Sequence, residues 1–349
     1  MNNRPVPLIV QYLYVHERGE SFHYPSVRAE HHAARVATRY LECALVQAAS
    51  LRLQNTICDL ALATNLDASQ LGPAGCELVR RIESFGVSIV PTEYEHRASD
   101  ASGLFAASRY VLDAILSTTA SEHASRPVWF MDLDCVWVDA ERAFAALPPE
   151  SEVGCVQIPY QPDWEVVEGA AIGATPNGIA AIATGMGRTE TSAPAWIGGE
   201  LLCGAAGTLR GLVATCEQLD TQLRERGSPL ALEEQILTLA GALGRVRFRD
   251  LSDVAARIWT GPRHGAPPVA DPLSLGIWHL PAEKGLSLRR AARELSHGRV
   301  RGLRRDLSRP ALAARRFNVT GTGLRRRLRD DGWIAAQRIR SALRSPMGN

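Results

Sequence analysis

The chain has 349 residues, of which 46% are hydrophobic, and this length suits one large α/β domain with extensions or two small domains. It contains no apolar run of the roughly 18 residues that a membrane-spanning helix requires. The first residues lack the charged and then apolar pattern of a signal peptide, and the seven cysteines include no Cys-x-x-Cys pair. We therefore expect a cytoplasmic chain with free thiols rather than a membrane-embedded, secreted or zinc-binding protein.

Residues 1–137 alternate between strand and helix patterns. Strands are predicted over 8–15, 57–63, 87–90 and within 127–137, and helices over 29–53, 74–85 and 105–117. This alternation predicts the α/β class, with a Rossmann-like, mostly parallel sheet flanked by helices. Ligands bind at the carboxyl ends of the strands in such sheets. Tyr12 and Tyr14, in the first strand, either pack in the core or stack on a nucleobase.

The second half of the chain is less regular. It begins with a predicted strand over 153–158 and continues with a segment rich in glycine, proline and threonine, which we expect to be irregular. This irregular segment covers 161–194. The elements predicted after it are helices over 207–226 and 230–243, a strand over 245–248 and a short extended piece over 275–281.

Asp132 and Asp134 are the most informative pair of residues. They follow an apolar run that is typical of a buried strand. Because side chains in a strand alternate between two faces, we expect both carboxylates to project to the same side. Neighbouring carboxylates repel each other and are costly to bury without a partner, so a divalent cation would stabilise them. The alternative is a turn with two solvated acids.

Three further segments follow the acid pair in a fixed order. They are Ile197–Gly204, Glu233–Leu237 and Ile277–Lys284. In this order the four elements resemble glycosyltransferases of the A-type fold, which use nucleotide-sugar donors, and among them the retaining glycogenin-like and blood-group-transferase-like families. The resemblance covers roughly residues 6–285. It implies a glycosyltransferase A-type catalytic domain over 1–285, followed by a helical extension over 286–349.

The resemblance also implies a reaction and a set of residue roles. The reaction is metal-dependent transfer of a sugar from a nucleoside-diphosphate donor to a hydroxyl acceptor. The sugar implied is a hexose. The donor would be a UDP-sugar, the acceptor a glycan or a lipid-linked molecule, and the metal Mn²⁺ or Mg²⁺. The implied metal ligands are Asp132, Asp134 and His279, the donor-binding residues are Asp132, Arg109, Gly198, Gly199 and Lys284, and the catalytic acids near the sugar are Glu234 first and Glu200 second.

Several of these residues also have a purely structural interpretation. An acid in the first turn of a helix, such as Glu234, interacts favourably with the helix dipole. The Gly-Gly pair at 198–199 suits a β-bulge. His279 follows a tryptophan and fits a half-buried, hydrogen-bonded histidine. Arg109 has Asp113 one helical turn further along as a possible ion-pair partner.

A second enzyme class shares part of the acid-pair motif. Phe130–Trp137 resembles the first motif of haloacid-dehalogenase-like phosphatases, in which Asp132 would be the nucleophile and Asp134 a general acid/base. That family carries its motif near the start of the domain and needs a later lysine followed by an acid pair. Here three predicted strands precede the motif, and the acid pair after Lys284 is Asp330–Asp331, which lies among arginines.

The arginine-rich end of the chain suggests a non-catalytic alternative, a sheet domain with a membrane- or anion-binding basic tail. Residues 285–349 contain 17 arginines and four acidic residues, so they carry a charge of +13 within a chain of net charge +2. Apolar residues recur there at helical spacing, from Leu324 to Leu343, which suits a helix that lies on an anionic membrane or packs back on the acidic body. We expect peripheral contact with the inner face of the membrane if the acceptor is lipid-linked. No nucleic acid partner is expected, since the tail carries no recognition motif.

Overall fold

A computed structural model describes residues 5–16, 22–23, 33–67, 69, 71–97, 103–104, 107–119, 124–166, 173–260 and 269–320 of the chain. The strands are β1 (Leu8–Leu13), β2 (Phe22–His23), β3 (Asp59–Thr64), β4 (Val87–Pro91), β5 (Gly103–Leu104), β6 (Pro127–Met131), β7 (Cys135–Trp137), β8 (Val153–Ile158), β9 (Trp196–Ala205), β10 (Phe248–Asp250), β11 (Ala255–Arg257) and β12 (Ile277–His279). The helices are α1 (Ala33–Arg52), α2 (Pro73–Ser84), α3 (Tyr110–Thr118), α4 (Ala140–Ala145), α5 (Pro176–Gly185), α6 (Ala206–Glu225), α7 (Glu233–Ala242), α8 (Ser287–Ser296), α9 (Val300–Leu307) and α10 (Pro310–Arg316).

A seven-stranded sheet in the order β10-β8-β9-β6-β1-β3-β4 forms the centre of the fold. Strands β6, β1, β3 and β4 are parallel to one another, and β8 is parallel to β10, whereas β9 runs antiparallel to both β6 and β8. Helices α1 and α2 pack together beside the sheet, and α3, α6 and α7 form a second packed group. The predicted fold class, a mostly parallel sheet flanked by helices, is confirmed.

Helix α1 is buried along most of its length. Leu41, Ala44, Leu45 and Ala48 recur at helical spacing and are each at most 1% exposed, so one face of the helix lies in the core. The helix contacts β1, β7 and α8, which places it between the main sheet and the C-terminal helices. Gln47, a polar residue of α1, is also buried. Its Nε2 donates to Asp132 O at 2.7 Å, in the turn after β6.

The two aspartates lie in a turn, which corrects the expectation that they share one strand. Strand β6 ends at Met131, Cys135 N donates to Asp132 O at 3.2 Å, and β7 then leaves the main sheet. β7 joins a small sheet with β12 and β11, so the chain changes sheets at the acid pair. The carboxylates therefore converge because the backbone turns, not because of strand alternation.

Two other expectations for the second half are also corrected. The segment 161–194 is not irregular throughout, because α5 occupies Pro176–Gly185. Thr175 Oγ1 accepts from Gly178 N at the start of this helix, and Pro176 suits the first helical position, where no N–H is needed. The strand predicted over 245–248 is formed at Phe248–Asp250 instead, where it pairs with β8. The predicted strand over 153–158 matches β8.

The C-terminal extension is helical where it is described. Leu288, Ala291, Ala292 and Leu295 form the buried face of α8, which packs against α1 and α2. Residues 321–349, which include the amphipathic pattern and the acid pair at 330–331, lie outside the described residues. The domain boundary between 285 and 286 stays a prediction. Among the helices that the structure describes, none is both long and apolar enough to cross a membrane.

Candidate active site

Asp132, Asp134 and His279 form a cluster that could hold a metal ion. One potential ligand atom from each residue lies within 4.8 Å of the others. The acids come from the turn after β6, and His279 ends β12, where it pairs with Cys135 at the start of β7. His279 Nε2 is 3.2 Å from Asp134 Oδ2 and 3.4 Å from Asp132 Oδ2. The antiparallel β7–β12 pairing is therefore what brings the histidine to the acid pair across more than a hundred residues of sequence.

The composition of this cluster suits a hard divalent cation. Two carboxylates and one imidazole are ligands typical of Mn²⁺ or Mg²⁺ rather than of a metal held by thiolates. His279 Nε2 and Asp134 Oδ2 are buried and make no aligned hydrogen bond within the described part of the chain. Buried polar atoms without aligned hydrogen bonds are uncommon in folded proteins, and here both atoms are held by ion pairs, Asp134 Oδ2 with Lys284 and His279 Nε2 with the two aspartates. The residues present thus fit a metal site.

Lys284 lies beside the same cluster. Its Nζ is 2.7 Å from Asp134 Oδ2 and 5.4 Å from the centre of the Tyr40 ring, and the side chain is mostly buried. Burial alone would raise the pKa of Asp134, but Lys284 and His279 outweigh that effect and lower it below its ordinary value. Burial would lower the pKa of His279, yet Asp134 and Glu200 raise it to about 9. Lys284 and His279 are therefore the two cationic partners of the buried Asp134 carboxylate.

Asp132 is the more accessible of the two acids. Its side chain is 34% exposed, compared with 2% for Asp134. Tyr12 Oη donates to Asp132 Oδ1 at 2.6 Å and also contacts Gly199 O at 3.1 Å. Tyr12 is therefore part of the site and not simply a core aromatic. It links the acid turn to β9, while Tyr14 packs in a cluster with two other tyrosines.

The Gly-Gly pair of β9 lies where the strand bulges. Cys155 of β8 pairs with Leu202, but the next residue, Val156, pairs with Gly198, so residues 199–201 form a bulge. A Cβ on Gly198 would lie 2.2 Å from Glu200 Oε2, and one on Gly199 would lie 2.3 Å from a Glu233 carboxylate oxygen. The structure thus confirms the β-bulge, and the Glu200 and Glu233 carboxylates occupy the space beside the two glycines. Contact of this pair with a donor sugar stays a prediction.

Glu200 and Glu234 share one arginine that the sequence did not single out. Arg257, at the end of β11, places Nη2 2.5 Å from Glu200 Oε2 and 2.5 Å from Glu234 Oε1. Burial opposes ionisation of Glu200, but Arg257 dominates and lowers its pKa to about 2. Glu234 also accepts from Trp196 Nε1 at 2.8 Å and Gly199 N at 3.1 Å. Both carboxylates are therefore engaged in fixed interactions.

Glu233 differs from its neighbour Glu234. Its carboxylate is buried beside Gly199, and its Oε2 has no hydrogen-bond partner among the described residues. Burial, and then the nearby charge of Glu234, raise the pKa of Glu233 to about 8. Helix α7 begins at Glu233, and Gln235 Oε1 accepts from the backbone N–H groups of residues 231 and 232, which fixes the start of the helix. A carboxyl group with a raised pKa is thus held next to the bulge.

Arg109 lies apart from the metal-binding cluster. Its Nη1 donates to Asp220 Oδ1 at 2.9 Å and its Nη2 donates to Leu230 O, so its contacts are with α6 and the connection to α7. It does not pair with Asp113, which instead accepts from His96. The other predicted residues converge: Asp132, Asp134, His279 and Lys284 at the acid turn, and Gly198, Gly199, Glu200 and Glu234 at the bulge beside it. Asp132 N donates to Glu200 O at 3.0 Å, which joins the two groups.

When the chain is compared with known proteins, the matches found are to solved structures. No protein-family model and no curated protein sequence matches the chain. A structure of the galactosyltransferase LgtC with donor and acceptor sugar analogues is 11% identical, covers 83% of this chain and 95% of its own, and has a TM-score of 0.45. Mouse xyloside xylosyltransferase 1 is 13% identical, with coverages of 79% and 98% and a TM-score of 0.44.

The bifunctional glycosyltransferase WbbM is 12% identical, with a TM-score of 0.44, and the match covers 79% of this chain and 46% of WbbM. All three structures are of glycosyltransferases, the family that the sequence motifs resemble. With identities and TM-scores this low, the function of this chain has to be inferred from its own residues.

Proposed function

We propose that this chain is a metal-dependent glycosyltransferase that transfers a sugar from a nucleoside diphosphate to a hydroxyl acceptor. One observation carries the proposal. Asp132, Asp134 and His279 each offer one possible metal-ligand atom, and these atoms lie within 4.8 Å of one another beside the Gly-Gly-Glu bulge. A cation site next to a bulge lined by carboxylates suits a reaction in which a diphosphate departs from a sugar carbon.

Asp132, Asp134 and His279 would hold the metal, Mn²⁺ or Mg²⁺. When bound, the cation would neutralise the negative charge that develops on the departing diphosphate. Lys284 Nζ, 2.7 Å from Asp134 Oδ2, adds a second positive charge that this diphosphate would meet. Tyr12 holds the Asp132 carboxylate in place, and Gly198 and Gly199 leave the room that the Glu200 and Glu233 carboxylates need beside the bulge.

The residue that faces the reacting sugar is proposed to be Glu233. Glu234 and Glu200, the candidates from the sequence, are each bound to Arg257, whereas Glu233 has an uncommitted oxygen. With a pKa of about 8, Glu233 carries a proton at neutral pH and can donate a hydrogen bond to a sugar or acceptor oxygen. Glu200 and Glu234 then supply fixed negative charge, which favours an oxocarbenium-like sugar. Arg109 is left out of the donor site in this scheme, because Asp220 and Leu230 O already bind it.

The finer features of the reaction are part of the proposal. We propose a UDP-sugar donor, a hexose as the transferred sugar, and a glycan or lipid-linked acceptor. The arginine-rich extension supports peripheral contact with an anionic membrane, because each basic residue near such a surface contributes about 1 kcal/mol of attraction.

A thermal-shift panel of UDP-, GDP- and dTDP-sugars, each with and without Mn²⁺, tests the proposal. Because binding to the native state adds to stability by mass action, the true donor should raise the melting temperature, and only when metal is present. D134N serves as the control and should lose the metal-dependent shift. If no sugar nucleotide shifts the midpoint while a simple phosphoester releases phosphate, the phosphatase alternative with Asp132 as nucleophile is favoured instead.

A further inference from the structure

A groove of about 440 Å³ runs along the outer face of α8, and four of its eight lining residues are arginines. We name it the α8 groove and define it by Arg289, Arg290, Arg293, Glu294, His297 and Arg299. It begins at Gly285, directly after Lys284 of the candidate active site. None of the residues assigned above to the metal, the donor or the reacting sugar lines it. It is therefore a separate feature of the surface.

The acids nearby do not neutralise the groove. Glu294 is bound by Arg316 Nη2, and Asp306 of α9 accepts from Arg316 Nη1 at 2.8 Å and Arg305 Nη2 at 2.8 Å. Arg316 and Arg305 lie outside the groove, so these acids are already paired elsewhere. The groove keeps a surplus of positive charge.

The groove arginines have few internal partners. Arg290, Arg293 and Arg299 are exposed and form no ion pair within the ranges that the structure describes, and Arg289 Nε lies 3.7 Å from Glu42. Arg293 is three residues from Arg290 and four from Arg289, the spacings at which like charges on a helix repel. Such a row of guanidinium groups is unfavourable by itself and is stabilised when an anion binds between them.

We propose that the α8 groove binds a phosphate-bearing group, as a phosphate monoester or a diphosphate. Guanidinium groups bind phosphate oxygens in a bidentate manner, and several of them along one concave face match a multiply charged anion. Single-stranded nucleic acid is a poorer match, since no Phe, Tyr or Trp among the described residues lines the groove to stack on a base. The same chemistry is offered by a lipid headgroup and by a soluble phosphate ester.

Calorimetric titration with pyrophosphate tests the site, in EDTA and without sugar nucleotide, so that the outcome does not depend on the proposed transferase activity. R290E/R293E reverses two groove charges. R301E/R304E is the matched control: it makes the same change at two exposed arginines of α9 that line no part of the groove. Melting curves of both variants verify folding. We expect R290E/R293E to weaken pyrophosphate binding about tenfold or more and R301E/R304E to leave it nearly unchanged.

Vesicle sedimentation then separates the two sources of phosphate. Vesicles of phosphatidylcholine are compared with vesicles that also contain phosphatidic acid. Binding to phosphatidic acid that is lost in R290E/R293E and kept in R301E/R304E indicates a lipid headgroup, whereas pyrophosphate binding without vesicle binding indicates a soluble ester. Two results would overturn the proposal. Equal losses of binding in the two variants would show that the protein attracts anions only through its overall positive charge, and binding of neither pyrophosphate nor phosphatidic acid would show that the groove is not an anion site.

Discussion

Lys284 Nζ lies 2.7 Å from Asp134 Oδ2, and both side chains are almost completely buried. Lys284 is the chain's only lysine, and it is thus the cationic partner of Asp134, which we propose as a metal ligand. A buried ion pair of this kind is costly to break from one side, because the remaining charge loses its partner without gaining water.

Removing Asp134 alone should destabilise the protein in the absence of metal. D134A removes the anion that pairs with the buried Lys284 ammonium at 2.7 Å, and we expect a loss of about 3–5 kcal/mol in the free energy of unfolding. The double variant D134A/K284M should recover much of that loss, because neither charge remains, yet it should stay inactive. Urea unfolding in EDTA measures all three proteins. Additive losses in the double variant would contradict the ion pair.

Replacing Lys284 alone should strengthen binding of the bare metal. A positive charge this close to Asp134 Oδ2 repels an incoming cation, at about 4 kcal/mol for unit charges at similar distances near a protein surface. K284M is therefore expected to bind Mn²⁺ at least about tenfold more tightly in calorimetry without nucleotide, while turnover falls because the diphosphate loses a cationic contact. Unchanged or weaker Mn²⁺ binding would indicate that Asp134 is not a ligand.

E233Q should stabilise the fold and impair turnover. The pKa of Glu233 is raised from 4.5 to about 8, so its ionisation opposes folding. That cost is absent below about pH 4.5, grows as pH rises, and is complete above about pH 8. The stability gain of E233Q should therefore be larger at pH 8 than at pH 5, and turnover should fall about 100-fold or more if Glu233 acts as an acid.

E234Q is the matched control for that experiment. Glu234 is tied to Arg257, Trp196 and Gly199, so E234Q should lower stability rather than raise it. If E233Q and E234Q change stability in the same direction at all pH values, the contrast drawn between the two carboxylates is wrong.

His96 should make part of the stability depend on pH. Its Nδ1 lies 2.6 Å from Asp113 Oδ1 and its Nε2 2.9 Å from Glu217 Oε1. The hydrogen bond to Asp113 is the main reason that the pKa of His96 rises from 6.5 to about 9. The stabilisation is thus fully present below pH 6.5 and is lost as pH rises through about 9.

H96Q tests this linkage, because glutamine keeps polar contacts but does not titrate. The stability gap between H96Q and the unmodified protein should be large at pH 6 and shrink toward pH 10, as measured by chemical unfolding. E217Q removes one of the two acids that contact His96. In the E217Q protein, the pH-dependent loss of stability should therefore occur at lower pH. A gap that stays constant across this range would show that folding does not raise the pKa of His96.

The sequence was sufficient for the features that depend on local pattern. Apolar periodicity located α1, α2, α6 and the strand β8, since an element that buries one face must repeat apolar residues with its own period. It also identified the acid pair, because two carboxylates after a buried run are chemically conspicuous. The short helix α5 was missed because glycine, proline and threonine are frequent in the surrounding segment 161–194, although the helix itself is rich in alanine and isoleucine and is capped by Thr175.

Tertiary structure decided which groups meet. The β7–β12 pairing brings His279 and Lys284 to Asp134, and β11, beside β12, brings Arg257 between Glu200 and Glu234. No local pattern marks Arg257 as a site residue, because a lone arginine in a three-residue strand looks like any other surface arginine. The amino-acid order determined the elements and the reactive residues. Long-range strand pairing, which depends on the packing of the whole chain, decided their partners and therefore their charge states.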